Sequence, residues 1–286
     1  MNAERVVFTG FEGVRLVADV RGASSDWPVL FLHGGGQTRF AWGAAAESLA
    51  AEGWRTVTVD LRGHGESGWA PNGDYSFTAF GADCMAVIDA LGSPPVLVGA
   101  SLGGLSALLA EGTSDRIVSS GLVLVDITAR ANPEGIARIE AFMRSGADGF
   151  ATLDEAADAI AAYTPQRDRR FNPEGLKKVL RSRNGRWYWH WDPAFINREQ
   201  TEVVPDRLLG LLDVAMDNIR VPTMLVRGML SDVVTQEGVD DLLGRIPGAT
   251  LVEIDGASHM IAGDRNDLFS EAVVSFLDTR IRPTIL

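Results

Sequence analysis

The chain has one cysteine. Cys84 alone cannot close an intramolecular disulfide, and no group of cysteines and histidines has the spacing of a zinc site, so a packed core must hold the fold. Long apolar runs are missing from the start of the chain: MNAERVVFTG offers only a short apolar stretch, neither the core of a signal peptide nor a spanning helix. A soluble, cytoplasmic protein is expected. Positive charge is scarce as well, with 26 Lys and Arg against 38 Asp and Glu and a net charge of −12. Nucleic acid and anionic membranes are bound by neutralising phosphates, so neither is an expected partner, and a small-molecule substrate is. One stretch runs the other way. Between Gln166 and Arg186, the cations Arg167, Arg169, Arg170, Lys177, Lys178, Arg181, Arg183 and Arg186 face only Asp168 and Glu174. That stretch reads as a solvated helix face, or as a device steering an anionic substrate to an entrance.

What is present is ordinary globular material, 46% hydrophobic and 22% charged over 286 residues, enough for one α/β domain with an insertion. Val6 to Phe8 and Val14 to Val20 flank Gly10 and Gly13 and predict an amino-terminal hairpin. The later apolar runs, at 29–32, 56–59, 96–98, 122–125, 223–226 and 251–254, mostly lack alternation, as strands buried on both faces do. Helical spacing separates most of them. Phe77, Phe80, Cys84, Val87 and Leu91 step by three and four, with Ser76 or Thr78 as N-cap and Gly92 and Pro94 as the stop. Phe269, Ala272, Val273, Phe276 and Leu277 repeat the pattern. The expected fold is α/β, a mostly parallel, doubly wound sheet of eight strands. Between about Asn132 and Asn218 the alternation stops, which predicts a core of 1–131 and 219–286 and a helical cap of 132–218 over the sheet's carboxyl edge.

The sharpest motif is Gly99-Ala100-Ser101-Leu102-Gly103-Gly104, set between a strand and a helix. This is G-x-S-x-G in the strand–turn–helix context that lifts a serine out of the backbone as a nucleophile. The following helix points free N–H groups at any negative charge formed beside Ser101, and the Leu102 N–H is the natural oxyanion donor. A second glycine turn, His33-Gly34-Gly35-Gly36, follows the strand at 29–32, and the Gln37-Thr38-Arg39 after it lacks the lysine of a phosphate loop. Together with the hairpin, Asp60-Leu61-Arg62-Gly63-His64-Gly65-Glu66-Ser67-Gly68, the insertion and a late histidine, these motifs make nearly the whole chain resemble the α/β-hydrolase superfamily, in its serine branch with a cap.

The resemblance implies roles residue by residue. Gly35 would give the second oxyanion N–H, and the His64 stretch would be a structural turn. A serine needs a base oriented by an acid. Of four histidines, His33 and His64 sit in loop motifs and His190 in the insertion, which leaves His259, where the family carries its base. Two aspartates end strands: Asp232 matches the usual family position of the acid and is favoured, and Asp126, one strand earlier, is the alternative. Trp187-Tyr188-Trp189-His190-Trp191 either fastens the insertion down or walls a site for an aromatic or alicyclic substrate. Trp42 and Met260 would complete that wall by position.

Superfamily branches that open epoxides or displace halide use aspartate at the elbow, and Ser101 argues against both. The expected activity is cofactor-free, metal-free acyl transfer from a small, largely apolar carboxylic ester or lactone. Carbon–carbon bond hydrolysis, perhydrolysis and cofactorless dioxygenation fit the same residues, and a ligand-sensing receptor that keeps the triad is the alternative of another class. A homodimer is compatible with this reading.

Overall fold

A computed structural model describes residues 3–164, 173–197, 206–261 and 265–285 of the chain. Strands without alternation need apolar cover on both faces, and the architecture supplies it. Among the described residues ten strands form: β1 (Glu4–Thr9), β2 (Arg15–Arg21), β3 (Pro28–Leu32), β4 (Arg55–Val59), β5 (Val96–Ala100), β6 (Gly121–Val125), β7 (Leu180–Arg183), β8 (Arg186–Trp189), β9 (Thr223–Gly228) and β10 (Thr250–Ile254). Eight of them make one sheet in the order β1-β2-β4-β3-β5-β6-β9-β10. The β1–β2 hairpin is antiparallel, as is the β2–β4 pairing, and every pairing from β4 to β10 is parallel.

Successive residues of the central strands enter opposite cores. On β3, Leu30 and Leu32 join one cluster while Val29 and Phe31 join the other, and β6 divides Leu122 and Leu124 from Val123 and Val125 in the same way. The second core holds α1 (Gly43–Ala51), through Ala45, Ala46 and Leu49. The first core takes α2 (Phe77–Leu91) and α3 (Leu102–Gly112), with Phe80, Cys84, Val87 and Leu108. Capping of α2 follows the sequence signals: Ser76 Oγ accepts the Ala79 N–H, and Gly92 closes the helix at φ +75°.

The segment between β6 and β9 begins with α4 (Pro133–Arg144) and α5 (Leu153–Tyr163), and ends with the short α6 (Pro193–Asn197) and α7 (Asp206–Asn218). It is not purely helical. The first three residues of the aromatic run, Trp187 to Trp189, lie in β8, paired antiparallel with β7. The cause is Asn184-Gly185, with φ of +51° and +73°: a two-residue hairpin turn of this kind needs two positive φ values, and Asn-Gly provides them at least cost. Helix α7, expected within the cap, lies directly against α3, where a Cβ on Gly112 would fall 2.3 Å from the Ala215 carbonyl oxygen. The carboxyl side is completed by α8 (Gln236–Arg245) and α9 (Asn266–Phe276), the latter bringing Phe269 and Val273 to the second core. No helix among the described residues is long and apolar enough to cross a membrane.

Because β3, β5, β6, β9 and β10 run in parallel, the loops that follow them open on one edge of the sheet. In such sheets this edge is where ligands bind.

Candidate active site

Ser101 follows β5 with φ +47° and ψ −114°, a backbone conformation that costs a non-glycine residue about 1–3 kcal/mol. The flanking glycines make the turn possible. A Cβ on Gly99 would meet the Gly103 carbonyl oxygen at 2.4 Å, and one on Gly103 would meet the Leu32 carbonyl oxygen at 2.2 Å. Leu102 opens α3, so its N–H is among those at the helix start that the helix itself cannot pair.

Asp126, one residue past β6, is the second strained position, at φ +48°. Its carboxylate is fully buried: Oδ1 accepts the Gly228 N–H at 3.0 Å, and Oδ2 accepts both Ser231 Oγ–H and the Nδ1–H of His259, the latter at 2.7 Å. With Nδ1 donating, the Nε2 of neutral His259 keeps its lone pair. The favoured acid, Asp232, is not at the histidine. Its carboxylate pairs with Arg138 of α4, and its carbonyl accepts from Asn132. The physical reason is the turn after β9, in which Ser231 Oγ bonds Asp126 and accepts the Val233 N–H, while Asp232 is turned toward α4.

The turn after β3 closes on the serine from the other side, where a Cβ on Gly34 would lie 3.6 Å from Ser101 Cβ. Gln37 pins this turn: Oε1 accepts the Gly34 N–H at 3.0 Å, and Nε2 lies 3.6 Å from Met260 Sδ, next to His259. Gly35, Ser101, Leu102, His259 and Met260 border one cavity of about 2020 Å³. Its other walls include Ile139, Phe142 and Met143 of α4, Tyr163 of α5, Leu208, Leu211 and Leu212 of α7, and Trp189, Trp191 and Phe195.

Comparison with known proteins gives the family. The profile described as the alpha/beta hydrolase family matches residues 29–272. The chain belongs to the alpha/beta hydrolase family. Esterase Rv0045c of Mycobacterium tuberculosis is 31% identical over 275 residues, 92% of this hydrolase-family chain and 87% of the relative. A solved structure of that esterase has a TM-score of 0.76 at 26% identity, covering 97% of this chain and 92% of the other. In fold, E-2-(acetamidomethylene)succinate hydrolase is similar, with a TM-score of 0.83 at 20% identity, covering 97% and 100%.

In this hydrolase-family chain, only some of the residues expected to contact substrate reach the cavity. Trp189 borders the cavity, stacked on Trp191 with centroids 5.0 Å apart and held by an Nε1–H bond to the Ser145 carbonyl. Trp187 does not: it pairs with Phe150 along the backbone, outside the cavity. Trp42 is among the cavity residues, yet its indole is 1% exposed and packs between Phe31 and Phe269. His190 is likewise not a wall residue. It is fully enclosed and bonded to backbone on both ring nitrogens. Of the basic stretch, Arg167, Arg169 and Arg170 lie outside the described residues. Lys178 reaches the cavity beside Phe40, while Arg181 donates to the Gly65 carbonyl and Arg186 to those of Asp148 and Gly149. Sequence reasoning missed Gln37 and Ser231, whose roles exist only across loops distant in the chain.

His33 and His64 also serve the backbone. His33 donates from Nδ1 to the Gly34 carbonyl and accepts the Leu61 N–H, and burial lowers its pKa from 6.5 to about 4. Burial drives the pKa of His190 well below its ordinary value as well, with His64 and His33 adding to the effect. A histidine whose folded pKa is depressed stabilises the fold fully above its unfolded pKa of 6.5, and that stability is lost as pH falls toward the folded value. For His33 the full loss is about 3 kcal/mol. The urea midpoint is expected to fall between about pH 7 and pH 5, and H33Q to lessen that fall, with His190 supplying the remainder. An unchanged midpoint over this interval would contradict the neutral-histidine assignment.

Proposed function

We propose that the chain is a serine hydrolase of carboxylic esters, acting through an acyl-enzyme, with Ser101 as nucleophile, His259 as base and Asp126 as the acid that orients it. The observation that carries this reading is the 2.7 Å bond from His259 Nδ1 to buried Asp126, on a loop that borders the same cavity as strained Ser101. Ser101 Oγ attacks the ester carbonyl carbon while His259 Nε2 takes its proton. The oxyanion is held by the N–H groups of Leu102 and Gly35. As the carbonyl re-forms, the carbon–oxygen bond to the alcohol breaks and His259 returns the proton to the leaving oxygen. Water then enters, loses a proton to His259 and attacks the acyl carbon; the bond from that carbon to Ser101 Oγ breaks, His259 returns the proton to Oγ, and the acid is released.

The ester class rests on similarity to the mycobacterial esterase. The cavity refines it: at about 2020 Å³ with walls of leucine, isoleucine and aromatics, it suits an apolar acyl group larger than the small ester that the sequence suggests. Each methylene buried is worth about 0.8 kcal/mol. Across p-nitrophenyl esters from acetate to octanoate, kcat/KM is expected to rise at least about ten-fold. A flat or falling series would reject a long acyl site.

Fluorophosphonate labelling followed by peptide mass spectrometry tests the nucleophile: the modified residue is expected to be Ser101. Many turnovers of a chromogenic ester per labelled site would favour an enzyme. A single slow acylation with a ligand-dependent rise in melting temperature would favour a receptor instead.

A further inference from the structure

The turn that carries Gly35 consists of three consecutive peptide groups, and each is held by a different buried histidine. The Gly34 carbonyl, in the same peptide as the Gly35 N–H, accepts from His33 Nδ1 at 2.8 Å. The Gly36 N–H, in the next peptide, donates to His64 Nε2 at 3.1 Å. The Gly36 carbonyl, in the third, accepts from His190 Nε2 at 3.2 Å. The far nitrogens of the three rings reach the loop after β4: His33 accepts from Leu61 N–H, His64 donates to the Arg62 carbonyl, and His190 accepts the Gly65 N–H at 2.7 Å. His33 and His64 belong to the core, whereas His190 comes from the insertion, just after β8.

We propose that His190 is a positioning residue for acyl transfer: its Nε2–H bond to the Gly36 carbonyl fixes the turn whose Gly35 N–H receives the oxyanion, so the insertion sets the catalytic geometry as well as the cavity wall. This rests on the serine-hydrolase reading above. Gly36 sits at φ +74°, and the insertion packs closely over it: a Cβ there would meet Met143 Cε at 3.1 Å and Trp191 Cζ3 at 3.3 Å. The turn is therefore pressed by apolar side chains on one side and tied by polar ones on the other. An oxyanion donor must stand about 2.7–3.1 Å from the forming charge, so a small rotation of these peptides costs rate while leaving the cavity intact.

Two variants separate the two bonds of the ring. Asparagine places its amide near the Nδ1 position and can keep the Gly65 contact while losing Gly36. Glutamine reaches the Nε2 position and can keep Gly36 while losing Gly65. Rates are taken per serine titrated by fluorophosphonate, which removes the contribution of unfolded protein. For H190N, kcat is expected to fall about ten-fold or more with KM changed less than about three-fold, and the Ki of a trifluoromethyl ketone analogue to rise in parallel. For H190Q, kcat is expected to recover to within about three-fold of the parent. Equal losses in both variants, or an unchanged kcat in H190N, would overturn the proposal. Should H190N fail to fold, H190Q decides by hydrogen exchange: a fast Gly65 amide shows that bond lost, and the Gly36 amide, whose partner is His64, reports whether the turn stays in place. A near-parental kcat with Gly36 protected, or a joint loss of Gly36 protection and kcat, supports the proposal, and a ten-fold loss of kcat with Gly36 still protected refutes it. If Ser101→Ala keeps parental turnover, the hydrolase reading itself fails. If that variant is inert while H190N is unimpaired, only the positioning role is wrong.

Discussion

Ser101→Ala and His259→Ala are each expected to lower kcat by about 10⁶, leaving the rate that binding and the two N–H donors alone can sustain. The two losses should be nearly equal and should not multiply in the double variant, because nucleophile and base act in one proton transfer. Unfolding does not explain such a loss: Ser101 lies at the cavity wall, so neither change opens a void in either core. Stability offers an independent check. At φ +47° a serine is strained and an alanine equally so, whereas glycine is at ease. Ser101→Gly is therefore expected to be as inactive as the alanine variant and more stable than the parent by about 1 kcal/mol, read as a higher melting temperature. Retained turnover in either Ser101 variant, at a level above the labelled-site background, would remove Ser101 from the chemistry, and in His259→Ala it would remove His259.

How far the sequence carried depended on whether the decisive contact was local. The sheet was legible because β3, β5 and β6 are buried on both faces, which leaves continuous apolar runs, and α2 announced both of its ends through Ser76 and Gly92. Ser101 was legible for the same reason: the close approach of Gly99 to Gly103 is a constraint within five residues. The hairpin β7–β8 carried a local signal too, Asn184-Gly185, which was masked by the aromatic run beside it. His190 was open to misreading as a substrate contact, because it sits between Trp189 and Trp191, which border the cavity, while its own ring is buried against backbone. Its partners, Gly36 and Gly65, lie more than a hundred residues away, and sequence spacing carries no trace of them. Gln37 and Ser231 share that difficulty, each joining two loops that meet only because the parallel strands end on the same edge.

Spacing favoured Asp232 as the acid, whereas it is Asp126 that lies at His259, and the two candidates differ so much in surroundings that their variants should part widely. Asp126→Asn is expected to lower kcat by about 10⁴ with KM little changed. The Gly228 N–H can only donate, so the asparagine must keep its Oδ1 toward Gly228 and place Nδ2 where Oδ2 now meets His259. An amide N–H facing Nδ1 drives the ring to carry its proton on Nε2, and a protonated Nε2 cannot accept from Ser101. Ser231 Oγ can turn to accept from the same amide, so the fold should survive and the defect should be chemical. Asp232→Asn removes a pair with Arg138 whose guanidinium side chain is 63% exposed, an interaction worth at most about 1 kcal/mol and remote from the reacting atoms. Its kcat/KM is expected to stay within about two-fold of the parent. Measured side by side on one ester, a loss confined to the Asp126 variant supports the buried pair as the working one. A loss confined to the Asp232 variant would mean that the loop after β9 rearranges when substrate binds, bringing the other carboxylate to the histidine.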